Sequence, residues 1–295
     1  MNISGKGKGM LLIFLLLLCM LAGCGEAETA TRETDETTIA NSSEEVSEPE
    51  EFEGDHDSDM EALSKMIKEN GANNTVNGDC YVWEDGRLTE IYWDNTGLRG
   101  DLSIEGLGAL KVLECSRTQL SSLSVSNCPV LEKLDCGSCQ ISSLDVSDCP
   151  TLTSLRCSNN QLSSLDVSAN TALTSLECSV NQLSSLDVNA NTTLKFLDCS
   201  RNQLISLDVS GYTALDNLDC KYNQLSGLDV SGCTALTSLI CAYNQLSSLD
   251  VSECTVLKKL ACQDNQLSSL DVSKNTELCG FNYDEDMVTV TGYSN

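Results

Sequence analysis

From residue 110 onward the apolar positions keep one interval. Leucines stand at Leu110, Leu131, Leu152, Leu173, Leu194, Leu215, Leu236, Leu257 and Leu278, each 21 residues after the last. Cysteines at 115, 136, 157, 178, 199, 220, 241 and 262 keep the same period. The unit is L-x-x-L-x-C-x-x-N-Q-L-x-x-L-D-V-x-x-N/C-x-x, in eight full copies and a ninth in which Tyr283 takes the cysteine place. In its L-x-C portion the two apolar residues are two apart, so a strand turns both to one face. The second half alternates likewise, with Leu165 and Val167 inward and Asp166 outward. One unit cannot enclose its own apolar residues, whereas stacked units can. The pattern therefore predicts short strands or extended segments on two sides of a flat coil, with successive coils ~4.8 Å apart. Asn160, Asn181, Asn202, Asn223, Asn244 and Asn265 follow the first strand. There they can turn inward, bond the backbone of the bend and stack as an amide ladder.

The spacing of Leu, Cys and Asn resembles the leucine-rich repeat family. It is most similar to the 21-residue bacterial subclass called IRREKO, whose unit nests two half-repeats, here LxxLxCxxNxL and LxxLDVxxN/C. The resemblance covers roughly residues 88–290 and recurs without a gap. It implies a right-handed, β-rich coil stack, mostly strand and loop with little helix, carrying a small N-terminal α/β cap. It also implies that the strand surface is the binding face and that the partners are proteins.

A solenoid exposes its core at both ends unless something covers it. Residues 58–70 predict a helix starting at Ser58 or Asp59, with Met60, Leu63 and Ile67 on one face and Gly71 as its stop. The stretch 80–102 reads as a hairpin turning at Asp85-Gly86, leading into a divergent first repeat with Leu88, Ile91, Trp93 and Leu98. Trp83 and Trp93 are expected to cover the first coil. At the far end, 281–295 is expected to close the last coil with a short strand.

The first residues read differently. Lys6 and Lys8 precede an apolar run from Met10 to Ala22, the length of a signal-peptide core and short for a membrane span. The run ends in Leu21-Ala-Gly-Cys24, which resembles the bacterial lipoprotein box. That resemblance implies cleavage before Cys24 and lipid attachment to its sulfur, hence a cell-envelope location outside the cytoplasm. Residues 25–59 hold 14 acidic residues against one basic, Arg32, so they predict an extended, disordered spacer. The only histidine, His56, lies in this tract and reads as incidental rather than as a ligand. The expected organisation is thus a signal peptide (1–23), a lipidated cysteine and acidic linker (24–58), a cap with the divergent first repeat (59–109), eight repeats (110–277), and a partial repeat with the C-terminal cap (278–295).

The formal charge of −27 excludes nucleic acid as a partner, since phosphates must be neutralised by Lys and Arg. The periodic cysteines occupy a position for a small apolar residue, and parallel neighbours on adjacent strands are poorly placed for disulfides. Cys128, Cys149, Cys233 and Cys254 replace an asparagine found in other copies (Asn170, Asn191, Asn275), as two neighbouring pairs. Their oxidation state stays open. Cys139 replaces the asparagine of the first half; its C-x-x-C with Cys136 follows from the repeat and has no second pair to complete a zinc site.

Two rows could carry function. Outward on the first strand stand Glu114, Asp135, Arg156, Glu177, Asp198, Asp219, Ile240 and Ala261, acidic and then apolar. Tyr222, Ala242 and Tyr243 follow the same strands, so Tyr222, Ile240, Ala242, Tyr243 and Ala261 form the candidate binding face. The second row is Asp145, Asp166, Asp187, Asp208, Asp229, Asp250 and Asp271; one carboxylate per coil supplies too few oxygens for calcium. Ser and Asp recur only as repeated positions, with no unique cluster for a nucleophile and base, so neither catalysis nor a cofactor is expected. The sequence supports a non-enzymatic, lipid-anchored surface protein that binds a protein or glycan; the alternative is a structural spacer without a ligand.

Overall fold

A computed structural model describes residues 55–70 and 78–293. The signal segment, Cys24, Gly71 and most of the acidic linker lie outside the described residues. The repeats stack into a solenoid whose long side is an 11-stranded sheet. Its strands are parallel except for the opening hairpin, Tyr81–Glu84 with Arg87–Tyr92, which turns at Asp85-Gly86 with positive φ at both residues. Most later strands hold three residues, such as Ser154–Arg156, Ser175–Glu177 and Phe196–Asp198. Their register is uniform: Leu155 pairs Leu176, which pairs Leu197. The hydrogen bonds run on past each strand into the bend, with Cys157 N–H donating to Glu177 O at 2.8 Å and Asn159 N–H to Ser179 O at 2.8 Å.

The core lies between the two sides of the coil. Leu152, Leu155, Cys157, Leu162 and Val167 are fully buried in one representative repeat. Each such leucine is worth ~1.5–3 kcal/mol on burial, and that gain exists only because the neighbouring coils close over it.

The second side has less regular structure. Its long strands, Arg99–Glu105 and Gln119–Ser126, run where Ser103 and Ser124 stand in the place aspartate takes from Asp145 onward. Each of those aspartates accepts the backbone N–H two residues ahead, at 2.8–3.0 Å, from Ser147 through to Ser273. Asp145 and Asp271 make this bond at the ends of short strands, whereas the middle coils form no strand there, apart from an isolated bridge between Asp208 and Asp229.

The N-terminal helix spans Asp55–Glu69, starting earlier than the Ser58 or Asp59 the sequence suggests. Asp59 is no helix cap. It is buried, and its carboxylate accepts Leu88 N–H at 2.9 Å and Arg87 Nε–H at 2.9 Å, tying the helix to the hairpin. His56 belongs to this helix rather than to a linker, and its ring packs on Trp83 at 4.9 Å. Leu63, Met66 and Ile67 face the core. Trp93 is wholly buried, with Nε1–H donating to Tyr81 Oη at 3.1 Å, while Trp83 is half-buried. At the other end Gly280–Asn282 extends the long sheet, and Thr289–Thr291 pairs with Ser269–Asp271 on the second side. Phe281, Tyr283 and Tyr293 cluster over the last coil. No helix among the described residues is long and apolar enough to cross a membrane.

Candidate functional site

Each coil leaves the long sheet through one residue in the left-handed region. Arg117, Ser138, Asn159, Val180, Arg201, Tyr222, Tyr243 and Asp264 all have φ between 54° and 57° and repeat at the 21-residue interval. Non-glycine residues seldom adopt this conformation. Here the bend imposes it, because from Asn159 onward the very next residue is an inward asparagine that must reach the backbone. The φ-positive row therefore points a column of side chains outward beside the sheet.

Within that column Arg201, Tyr222 and Tyr243 form one continuous stack. The Tyr222 and Tyr243 rings lie 4.2 Å apart and only 7° from parallel. The Arg201 guanidinium sits 4.3 Å from the Tyr222 ring centre, on the side away from Tyr243. On the far side follows Asp264. Hydrogen bonding to Tyr222 and Asp264 pushes the Tyr243 phenol above its ordinary value. Both tyrosines remain more than a third exposed, at 36% and 39%. Sequence reasoning found the tyrosines but passed over Arg201 and Asp264, although both share their register.

The neighbouring strand residues divide in two. Toward the N-terminus the outward acids are neutralised: Lys133 pairs with Glu114, and Arg156 bridges Asp135 at 3.8 Å and Glu177 at 3.3 Å. Toward the C-terminus Ile240 is half-buried between Asp219 and Ala261. Two members of the candidate face are corrected. Ala261 is 5% exposed and Ala242 only 1%. A methyl group is short beside the longer side chains that hold the same register in flanking coils, Ile240 and Asn282 for Ala261, Lys221 and Gln263 for Ala242. The exposed apolar face thus contracts to Tyr222, Tyr243 and part of Ile240, with Phe196 exposed on the same sheet.

The aspartate row on the second side borders a shallow groove of about 580 Å³ lined by Ser206, Asp208, Asp229, Asp250 and Glu253. Its carboxylates already have donors: Asp208, Asp229 and Asp250 take the N–H of Ser210, Ser231 and Ser252, and Glu253 takes Gly232 N–H at 2.6 Å. Bonds from the hydroxyl and the backbone N–H of Ser210 and Ser231, and from the N–H and hydroxyl of Ser252, hold Asp208, Asp229 and Asp250 below the usual carboxylate range. Among the described residues no group of His, Cys, Asp or Glu is placed to hold a metal ion.

The periodic cysteines belong to the core. Cys115 and its seven periodic equivalents are buried and free, and burial pushes their thiols up, Cys262 to about 12. Cys128, Cys149, Cys233 and Cys254 are also free. Three of these share one task with Asn170, Asn191, Tyr212 and Asn275: each donates to the carbonyl of a valine in the preceding coil. Cys233 reaches Val209 O at 3.2 Å, Asn170 reaches Val146 O at 2.9 Å, and the Tyr212 hydroxyl reaches Val188 O. Position thus selects a donor, which explains why cysteine and asparagine alternate there. The cysteine pays no penalty for an idle carbonyl, whereas Oδ1 of Asn170, Asn191 and Asn275 is buried without a hydrogen-bond partner.

Periodicity, parallel register and inward asparagines define a leucine-rich repeat solenoid, and comparison with solved structures places the chain in that fold. The functional domain of InlJ from Listeria monocytogenes, which includes a cysteine ladder, is 32% identical, with 70% of this chain and 54% of that one aligned at a TM-score of 0.49. YopM, a leucine-rich effector of Yersinia pestis, is 23% identical over 73% of this chain and 60% of its own, with a TM-score of 0.58. The leucine-rich repeat protein LIC12759 of Leptospira interrogans is 18% identical over 63% and 57%, with a TM-score of 0.54. The chain spans little more than half the length of these proteins. No protein-family model matches it, and neither does any curated protein.

Proposed function

We propose that this chain is a non-enzymatic surface lipoprotein of the bacterial envelope, held by a lipid on Cys24, whose repeat domain binds a protein ligand through the surface around Tyr222, Ile240 and Tyr243. The observation that carries this reading is the exposed stack of Tyr222 on Tyr243 with Arg201 over it. Arginine and tyrosine are the residues that most often dominate protein interfaces, and their preassembly lowers the entropy lost on binding. The Leu21-Ala-Gly-Cys24 sequence behind an apolar run supports the anchor. Leucine-rich repeat domains commonly bind proteins, which supports protein over glycan.

The test is capture of envelope and host-surface proteins by immobilised full-length protein, beside a Tyr222→Asp/Ile240→Asp/Tyr243→Asp variant shown by circular dichroism to be folded. Retention by the unmodified protein alone is the expected result. Equal retention by the variant eliminates this surface, and no saturable ligand in either arm returns the chain to a spacer role. Mass spectrometry of the anchored peptide reads the lipid on Cys24 independently.

A further inference from the structure

The stack around Tyr222 and Tyr243 is built in steps of about one coil, and it is unequal at its two ends. The Tyr222 ring has both faces in use, Arg201 on one and Tyr243 on the other. Tyr243 uses one face on Tyr222, and among the described residues no further ring or cation stacks on the other. The coil beyond carries Asp264 in the same left-handed position. An aspartate is too short to cover a phenol ring as Arg201 does. Its carboxylate instead acts on the Tyr243 hydroxyl, helping to push that phenol above its ordinary value. A second carboxylate lies close by, because Asp284 accepts Asp264 N–H through both oxygens at 2.9 and 3.1 Å. The column therefore ends in an exposed aromatic face flanked by two carboxylates, in a chain of formal charge −27.

We infer that this end of the stack receives a cationic side chain, arginine above all, from a basic segment of a partner protein. The guanidinium would extend the column by one step, stacking on Tyr243 as Arg201 stacks on Tyr222, and bonding Asp264 and Asp284 at its edge. Planarity and five donors suit arginine to a site that offers a ring face and carboxylates together. A second copy of this chain is disfavoured as occupant by like charge. The inference rests on the binding-module reading and names the class of partner for its surface.

The experiment titrates full-length protein with a synthetic peptide of alternating glycine and arginine, and with its glycine–lysine and glycine–glutamate counterparts. Variants are Tyr243→Leu, Tyr243→Phe and Asp264→Asn, with Asp145→Asn as a charge control far along the solenoid. Saturable binding of the arginine peptide is expected, weakened about tenfold by Tyr243→Leu and by Asp264→Asn, and nearly unchanged by Tyr243→Phe and Asp145→Asn. Equal weakening by Asp145→Asn and Asp264→Asn, with none from Tyr243→Leu, means bulk charge attraction and overturns the site. Absence of saturable binding overturns it too. If the arginine peptide fails but the unmodified protein captures a ligand that the triple aspartate variant does not, the binding-module reading stands and this inference falls.

Discussion

Replacing Asn202 with alanine tests the principle that holds the coils together. Its Nδ2 group donates to Cys178 O at 3.0 Å in the preceding coil and to Cys199 O at 3.1 Å in its own. Its Oδ1 accepts Leu183 N–H at 3.0 Å. The carbonyls keep second partners, since Asn181 also serves Cys178 and Asn223 also serves Cys199. Leu183 N–H has no such reserve and is left unpaired in the core. An orphaned buried donor costs ~1–3 kcal/mol, and each lost bond to a carbonyl that keeps a partner adds less than ~1 kcal/mol. The substitution should therefore destabilise the solenoid by about 3 kcal/mol, a large share of the ~5–15 kcal/mol typical of domains. Urea unfolding followed by far-ultraviolet circular dichroism measures it. Asn265→Ala is the internal comparison, since Asn265 has the same partners but is only half-buried, and water can replace what is lost. A loss below ~1 kcal/mol at Asn202, or equal losses at both sites, would refute the claim that the inward amides carry inter-coil stability.

Three other outcomes follow from the same geometry. Gly232 has φ of 74°, and a Cβ there would stand 2.8 Å from Gly211 Cα, so Gly232→Ala should lower stability by ~1–3 kcal/mol in the same urea assay. Alkylation of the native protein should modify the exposed Cys279 before the buried periodic cysteines, Cys115 and its seven equivalents, which stay unmodified until denaturant is added, read by peptide mass spectrometry; prompt labelling of Cys178 or Cys199 would contradict their burial. Asp145, Asp166, Asp208, Asp229, Asp250 and Asp271 have folded pKa values lowered mainly by bonds from the residues two ahead. Their contribution is complete above the unfolded value, near pH ~4, and is lost as pH falls through the folded values. The acid limb of the stability curve should therefore flatten when Asp208 and Asp229 become asparagine, which keeps the acceptor but does not titrate.

The repeat length, the inward Leu, Cys and Val positions, the turned-in asparagines and the hairpin at Asp85-Gly86 were all legible in the sequence. Each is a local rule repeated many times: alternation assigns a face, a fixed interval forces stacking, and Asp-Gly prescribes a turn. Cys139 shows the limit of that logic. Its place in the repeat was clear, but its contact with Thr118 at 3.1 Å required knowing which coil lies beside it. Tertiary structure alone decided three further matters. Ala242 and Ala261 are buried beside longer neighbours, because exposure depends on the flanking coils and not on the outward direction of a side chain. Asp59 became a buried acceptor for Leu88 instead of a cap, because the hairpin delivered an unpaired N–H to it. Arg201, Tyr222 and Tyr243 became one stack with Asp264 next in line, because a left-handed bend repeated every coil lines up residues that lie 21 positions apart.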